Sequence, residues 1–89
     1  MSSPFLDLLK SIDSGITIYE PLDRNAQGMT EFQDLAARLI EMERLGFVPA
    51  LVTRKREIAG AEYYDLVMVT GGGLTAEGKR MLDRALDEE

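Results

Sequence analysis

The densest chemistry-bearing run in the chain is Arg54-Lys55-Arg56, three consecutive cations that form its only basic cluster. Side chains of this kind neutralise phosphates and release condensed counterions, which is the electrostatic footprint of a nucleic-acid contact. Charges on an exposed strand also block edge-to-edge pairing, so the cluster has a structural use as well. A second run, Gly73-Leu74-Thr75-Ala76-Glu77-Gly78-Lys79-Arg80, nearly matches a phosphate-binding loop but puts Arg80 where Ser or Thr would hold magnesium. Thr75 starts a helix ahead of Gly78 and Lys79, which removes the lysine from any loop, so no nucleotide site is expected.

Other chemistry is excluded by what is missing. The 89 residues contain no cysteine and no histidine, which removes disulfides, thiol nucleophiles, Cys/His zinc sites and imidazole acid-base catalysis together. No serine or lysine has a recognisable activating partner, and no loop alternates oxygen ligands as a calcium loop does. A non-enzymatic chain without cofactor or metal is therefore expected.

The charge balance opposes DNA as a whole but not everywhere. The chain carries 16 acidic and 10 basic residues, a net charge of −6. Residues 1–47 hold eight acids and four bases, and residues 48–89 hold eight acids and six bases, so any nucleic-acid contact belongs in the second half. With 45% hydrophobic residues the chain is expected to fold as a single domain over 1–89. No apolar run approaches the roughly 20 residues of a membrane helix. Met1-Ser2-Ser3-Pro4 has no basic lead into a signal core, so the expected location is cytoplasmic, away from membranes.

Four helices are predicted to position the cluster, at 4–14, 21–27, 31–45 and 75–87. Ser3-Pro4 suits a helix start, Phe5, Leu8, Leu9 and Ile12 follow at helical spacing, and Gly15 closes that helix. Ile16-Thr17-Ile18-Tyr19 reads as a short strand. Glu20-Pro21 opens the second helix, with Gly28 as its left-handed exit, and Thr30-Glu31-Phe32-Gln33 reads as a capping box for the third. Val48 to Arg56 is an extended segment, the chain reverses around Ala59-Gly60-Ala61, and Tyr63 to Thr70 returns as the strongest strand. That strand has Tyr64, Leu66 and Met68 on one face and Tyr63, Asp65, Val67 and Val69 on the other, which predicts a central or covered position. Thr75 caps the last helix.

Two motifs carry a resemblance. Leu39-Ile40-Glu41-Met42-Glu43-Arg44-Leu45-Gly46-Phe47-Val48, similar to a helix running into Leu-Gly-aliphatic, and Leu74-Thr75-Ala76-Glu77-Gly78-Lys79-Arg80-Met81-Leu82, a Leu-Thr-x-x-Gly-x-x-x-Leu helix start, flank the two strands. Together they resemble the winged helix-turn-helix domains of bacterial transcriptional regulators of the MarR and PadR kind. The resemblance implies an α+β fold with three N-terminal helices, an antiparallel hairpin wing and a C-terminal helix. It further implies DNA binding, with Arg54, Lys55 and Arg56 on phosphates, Arg38 and Arg44 of the preceding helix as base readers, and Arg24 as a further backbone contact. The rival expectation is an acidic protein-interaction or dimerisation module, a homodimer through its first and last helices, without nucleic acid. Glu31, Asp34, Glu41 and Glu43 outnumber Arg38 and Arg44 on the helix that would read bases, and Asp34 and Arg38 are placed to pair one turn apart.

Overall fold

Two of the predicted helix ends are built as the glycines require. In the computed structural model of the chain, which describes residues 5–87, helix α1 spans Leu6–Asp13 and exits through Gly15 at φ +104°. Gly15 N–H donates to Ile12 O and Ile16 N–H to Ser11 O, both at 3.0 Å, the paired bonds of a glycine-terminated helix. The same pattern ends helix α2, Ala26–Arg44, where Gly46 at φ +84° donates to Glu43 and Phe47 donates to Met42 at 2.8 Å. Strand β1 (Ile18–Tyr19) lies between these helices; β2 (Ala50–Ile58), β3 (Ala61–Thr70) and α3 (Ala76–Asp87) follow.

The order is therefore α1-β1-α2-β2-β3-α3, an α+β arrangement of three helices on one antiparallel sheet of order β1-β3-β2. β3 is central, as its two apolar faces predict. Its inward residues Val67 and Val69 are buried with Leu9, Ile12, Phe32, Ala36, Leu39, Met42, Val48, Leu82 and Ala85. Among the described residues no helix is long and apolar enough to cross a membrane.

The second and third predicted helices are not two helices. Residues 20–25 form a loop, and α2 begins at Ala26, where Asn25 Oδ1 accepts from Gly28 N–H at 2.7 Å. The expected capping box at Thr30 is displaced into the helix interior: Thr30 donates to Ala26 O, and Gln33 is engaged elsewhere. Gly28 is no helix exit either. A Cβ there would lie 2.1 Å from Asp23 O, so glycine is needed because the loop backbone packs directly on the first turn of α2. The described residues thus hold two helices ahead of the hairpin, not three. Ser3-Pro4, the expected start of the first helix, lies outside them.

Gln33 explains where the sheet ends on the β1 side. β1 pairs only Ile18 with Met68 and Tyr19 with Val67, and the chain then leaves the ladder at Glu20 and the buried Pro21, which has no N–H to give. Beyond that point the Gln33 side-chain amide stands in for a strand: it donates to Tyr64 O and accepts from Tyr64 N–H, both at 2.8 Å. A helix side chain thereby satisfies an otherwise bare stretch of sheet edge.

The Leu-Thr-x-x-Gly motif does what its residues suggest. Thr75 Oγ1 accepts from Gly78 N–H at 3.0 Å and donates to Gly46 O at 2.5 Å, while Thr75 N–H donates to Phe47 O. Gly78 is buried, and a Cβ on it would meet Phe47 O at 2.3 Å. Phe47 also meets Phe5 edge to face, centroids 6.1 Å apart. The two sequence motifs are one joint, with the glycine turn after α2 as the seat for α3.

Candidate nucleic-acid interface

The hairpin turns through Ala59 (φ +52°) and Gly60 (φ +82°), between the paired residues Ile58 and Ala61. Two positive φ values in a two-residue loop match the right-handed twist of the strands. Glycine accepts that conformation freely, but Ala59 is held there against its Cβ. Residues 52–57 and 59–62 are all exposed, so the distal half of the hairpin is an arm that leaves the body of the fold.

Arg54, Lys55 and Arg56 lie on this arm and have three different surroundings. Between Arg54, opposite Leu66, and Lys55, opposite Tyr64, β3 carries one extra residue, Asp65. This bulge brings an acid of 4% exposure within reach of Arg54. Arg54 Nε donates to Asp65 Oδ1 at 2.9 Å and its Nη2 to Oδ2 at 3.3 Å, a two-pronged ion pair, although the arginine side chain is 56% exposed. Lys55 Nζ sits 5.1 Å from the Tyr64 ring centre. Arg56 lies opposite Tyr63 and has no ion pair among the described residues.

The Asp65 carboxyl is held below the usual carboxylate range, first by the hydrogen bond from Arg54, against the opposing effect of burial, and then by the charges of Arg54, Arg24 and Arg56. The Arg54 guanidinium is correspondingly stabilised in its charged form by the Asp65 hydrogen bond, with a minor contribution from Glu20. Arg24, from the β1–α2 loop, therefore joins the field of the hairpin cations. Four cations (Arg24, Arg54, Lys55, Arg56) share the arm and its base with four carboxylates (Glu20, Glu57, Glu62, Asp65), so the cations are concentrated at 54–56 without a net excess of charge.

The remaining two candidates are elsewhere. Arg44 is in an exposed ion pair with Glu41, one turn back on α2, and its hydrogen bond holds the Glu41 carboxyl below its usual range. Pairs this exposed are weak and exchange readily for another partner. Arg38 is exposed, and the expected pairing with Asp34 is not formed. Glu43 turns to the sheet instead of outward, accepting from Leu51 N–H at 2.8 Å. Among the described residues no hydrogen bond or ion pair links Arg38 or Arg44 to the hairpin cations.

Two features of the site were missed from sequence. Asp65 was legible in principle: an acid at an inward position between apolar neighbours needs a cation, and Arg54–Arg56 occupies the adjacent strand. Nothing in the sequence pattern, however, signals the bulge that brings the two together. Arg24 was placed at the end of a short helix, whereas that stretch is a loop, from which the Arg24 charge acts on Asp65. In comparisons with protein-family models, characterised proteins and solved structures, the chain matches none.

Proposed function

We propose that the chain is a non-catalytic, winged-helix-like binding domain that touches nucleic-acid backbone with its hairpin arm and serves DNA-linked regulation. The reading is carried by one observation, three consecutive cations on an exposed hairpin arm, the first of them fixed by the buried Asp65. Sheet order β1-β3-β2 with a helix docked after the hairpin supports the MarR/PadR-like assignment. A single long α2 replaces the paired helices of a helix-turn-helix, so phosphate contacts by the arm dominate this mode and Arg38 and Arg44 are secondary base readers. Asp65 has a definite role in it: by fixing two donors of Arg54 it orients the guanidinium, leaving its exposed edge to a phosphate oxygen.

The test is fluorescence anisotropy of a labelled mixed-sequence duplex at low salt. Binding should be salt-sensitive, and replacing Arg54, Lys55 and Arg56 by alanine should reduce the salt slope by about 3, roughly one for each phosphate contact. An unaltered slope removes the arm from the mechanism.

A second reading, a protein-interaction or dimerisation module, is favoured by a separate observation. On the sheet face away from Val67 and Val69, Ile18, Met68 and Val52 form one row across the three strands, with Ile18 57% and Val52 47% exposed. Such apolar rows mark contact surfaces. A monomeric mass independent of concentration counts against the homodimer form of this reading.

A further inference from the structure

At the opposite edge of α2 from its glycine turn, the β1–α2 loop and the first turns of the helix enclose a cleft of about 180 Å³. Its walls include Pro21, Phe32 and Leu35, and its rim carries Glu20, Asp23 and Glu31. None of the three carboxylates is in an ion pair among the described residues. Leu22, also at the cleft, is fully exposed, so a leucine beside an apolar hollow is left uncovered by the chain itself.

The cleft is preformed. Pro21 is buried, Asn25 caps α2, and Gly28 admits the Asp23 backbone at a distance no side chain would tolerate, so the loop is fixed at three points. Its size decides between ligands: small-molecule sites run to ~300–1,000 Å³, whereas a hollow this small accepts one aliphatic or aromatic side chain, as the anchor pockets of protein interfaces do. Its charge decides what surrounds that side chain, because three carboxylates around an apolar floor favour flanking cations and repel an acidic segment.

We propose that this cleft docks a basic segment of a partner protein, one of whose apolar side chains fills it while neighbouring lysines or arginines meet Glu20, Asp23 and Glu31. Glu20 also acts on Arg54 and Arg24 lies in the same loop, but no hairpin residue lines the cleft, and the proposal does not depend on the nucleic-acid reading.

The experiment is ¹H–¹⁵N NMR titration of the full chain with the acetylated, amidated peptide Lys-Arg-Leu-Lys. Parallel arms use Lys-Arg-Ala-Lys, Glu-Asp-Leu-Glu and phenethylamine. The expected result is movement of the Leu22, Gly28 and Leu35 amides with the first peptide, about tenfold weaker binding of the alanine peptide, and none of the acidic one. Glu31→Lys should weaken the first peptide by up to about fivefold and Leu22→Ser should also weaken it. Both are exposed positions whose replacement leaves thermal unfolding in place, and the triple hairpin variant should bind the peptide as wild type does. No shift with the basic peptide overturns the proposal, as does equal binding of the acidic one or of phenethylamine. It is likewise overturned if the cleft amides move only with protein concentration, which identifies a second copy as occupant. Loss of DNA binding with peptide binding intact separates the failure of the nucleic-acid reading from that of this one.

Discussion

The seat of α3 and the hairpin arm belong to neighbouring stretches of chain, yet they are held by different physics. At the seat, backbone meets backbone: Thr75 bridges the glycine turn and the helix start, and Gly78 lies against Phe47 with no room for a methyl group. On the arm, burial is almost absent. What holds it is the strand ladder, one half-exposed ion pair and a lysine on a tyrosine ring, and its tip places Glu57 opposite Glu62 and Ala59 at positive φ. Like charges across a strand pair and a strained turn residue both weaken the tip. Close packing thus specifies the fold in one region, while the residues available to a partner occupy the region where stability is least. Local opening of the arm can occur without unfolding the body.

The sharpest way to break this contrast is Gly78→Ala. Alanine favours a helix by about 1 kcal/mol, so on propensity alone the variant should be more stable. Overpacking against Phe47 O predicts a net loss of about 2 kcal/mol in denaturant unfolding instead. A rise in stability would show that the seat is not close-packed.

Asp65→Asn probes the base of the arm and should cost about 1 kcal/mol at neutral pH, because the exposed Arg54 recovers hydration when the pair is lost. The effect has a pH signature. The Asp65 carboxyl is lowered in the folded state, so its contribution is fully present above the ordinary carboxylate range and is lost as pH falls through the lowered folded value. Wild type and variant should therefore converge in stability in acid; a constant gap down to strong acid would contradict the pairing. The smallest effect is expected at the tip. Ala59→Asn relieves the left-handed alanine and should stabilise by roughly 0.5 to 1 kcal/mol, with nucleic-acid binding unchanged.

The same division governs what was legible in the sequence. Gly15, Gly46 and the Thr75-Gly78 helix start signal their structures locally, because a helix end needs a left-handed residue and a free amide needs an acceptor. The apolar residues on both faces of β3 likewise made its central position legible, because a strand covered on both sides needs both faces apolar. The loop at 20–25 was not legible, since Thr30 and Gln33 match a capping box by spacing while their side chains serve α2 itself and Tyr64, thirty-one residues further on. Asn25, the actual cap, carries an equally good local signal, and only the packing of Asp23 on Gly28 decides between them. At the candidate interface, the cluster at 54–56 was plain, but its partition into one paired arginine, one lysine on an aromatic ring and one exposed arginine depends on a bulge that no local pattern announces.

The most direct test of the account is a ¹H–¹⁵N chemical-shift map of the chain with a short mixed-sequence duplex at low salt. The account predicts perturbation concentrated at residues 54–56 and 63–65 and at Arg24, with the seat around Gly46, Thr75 and Gly78 unmoved. Perturbation centred on the exposed face of α2 at Glu31, Asp34, Arg38 and Glu41, or none at all, would contradict it.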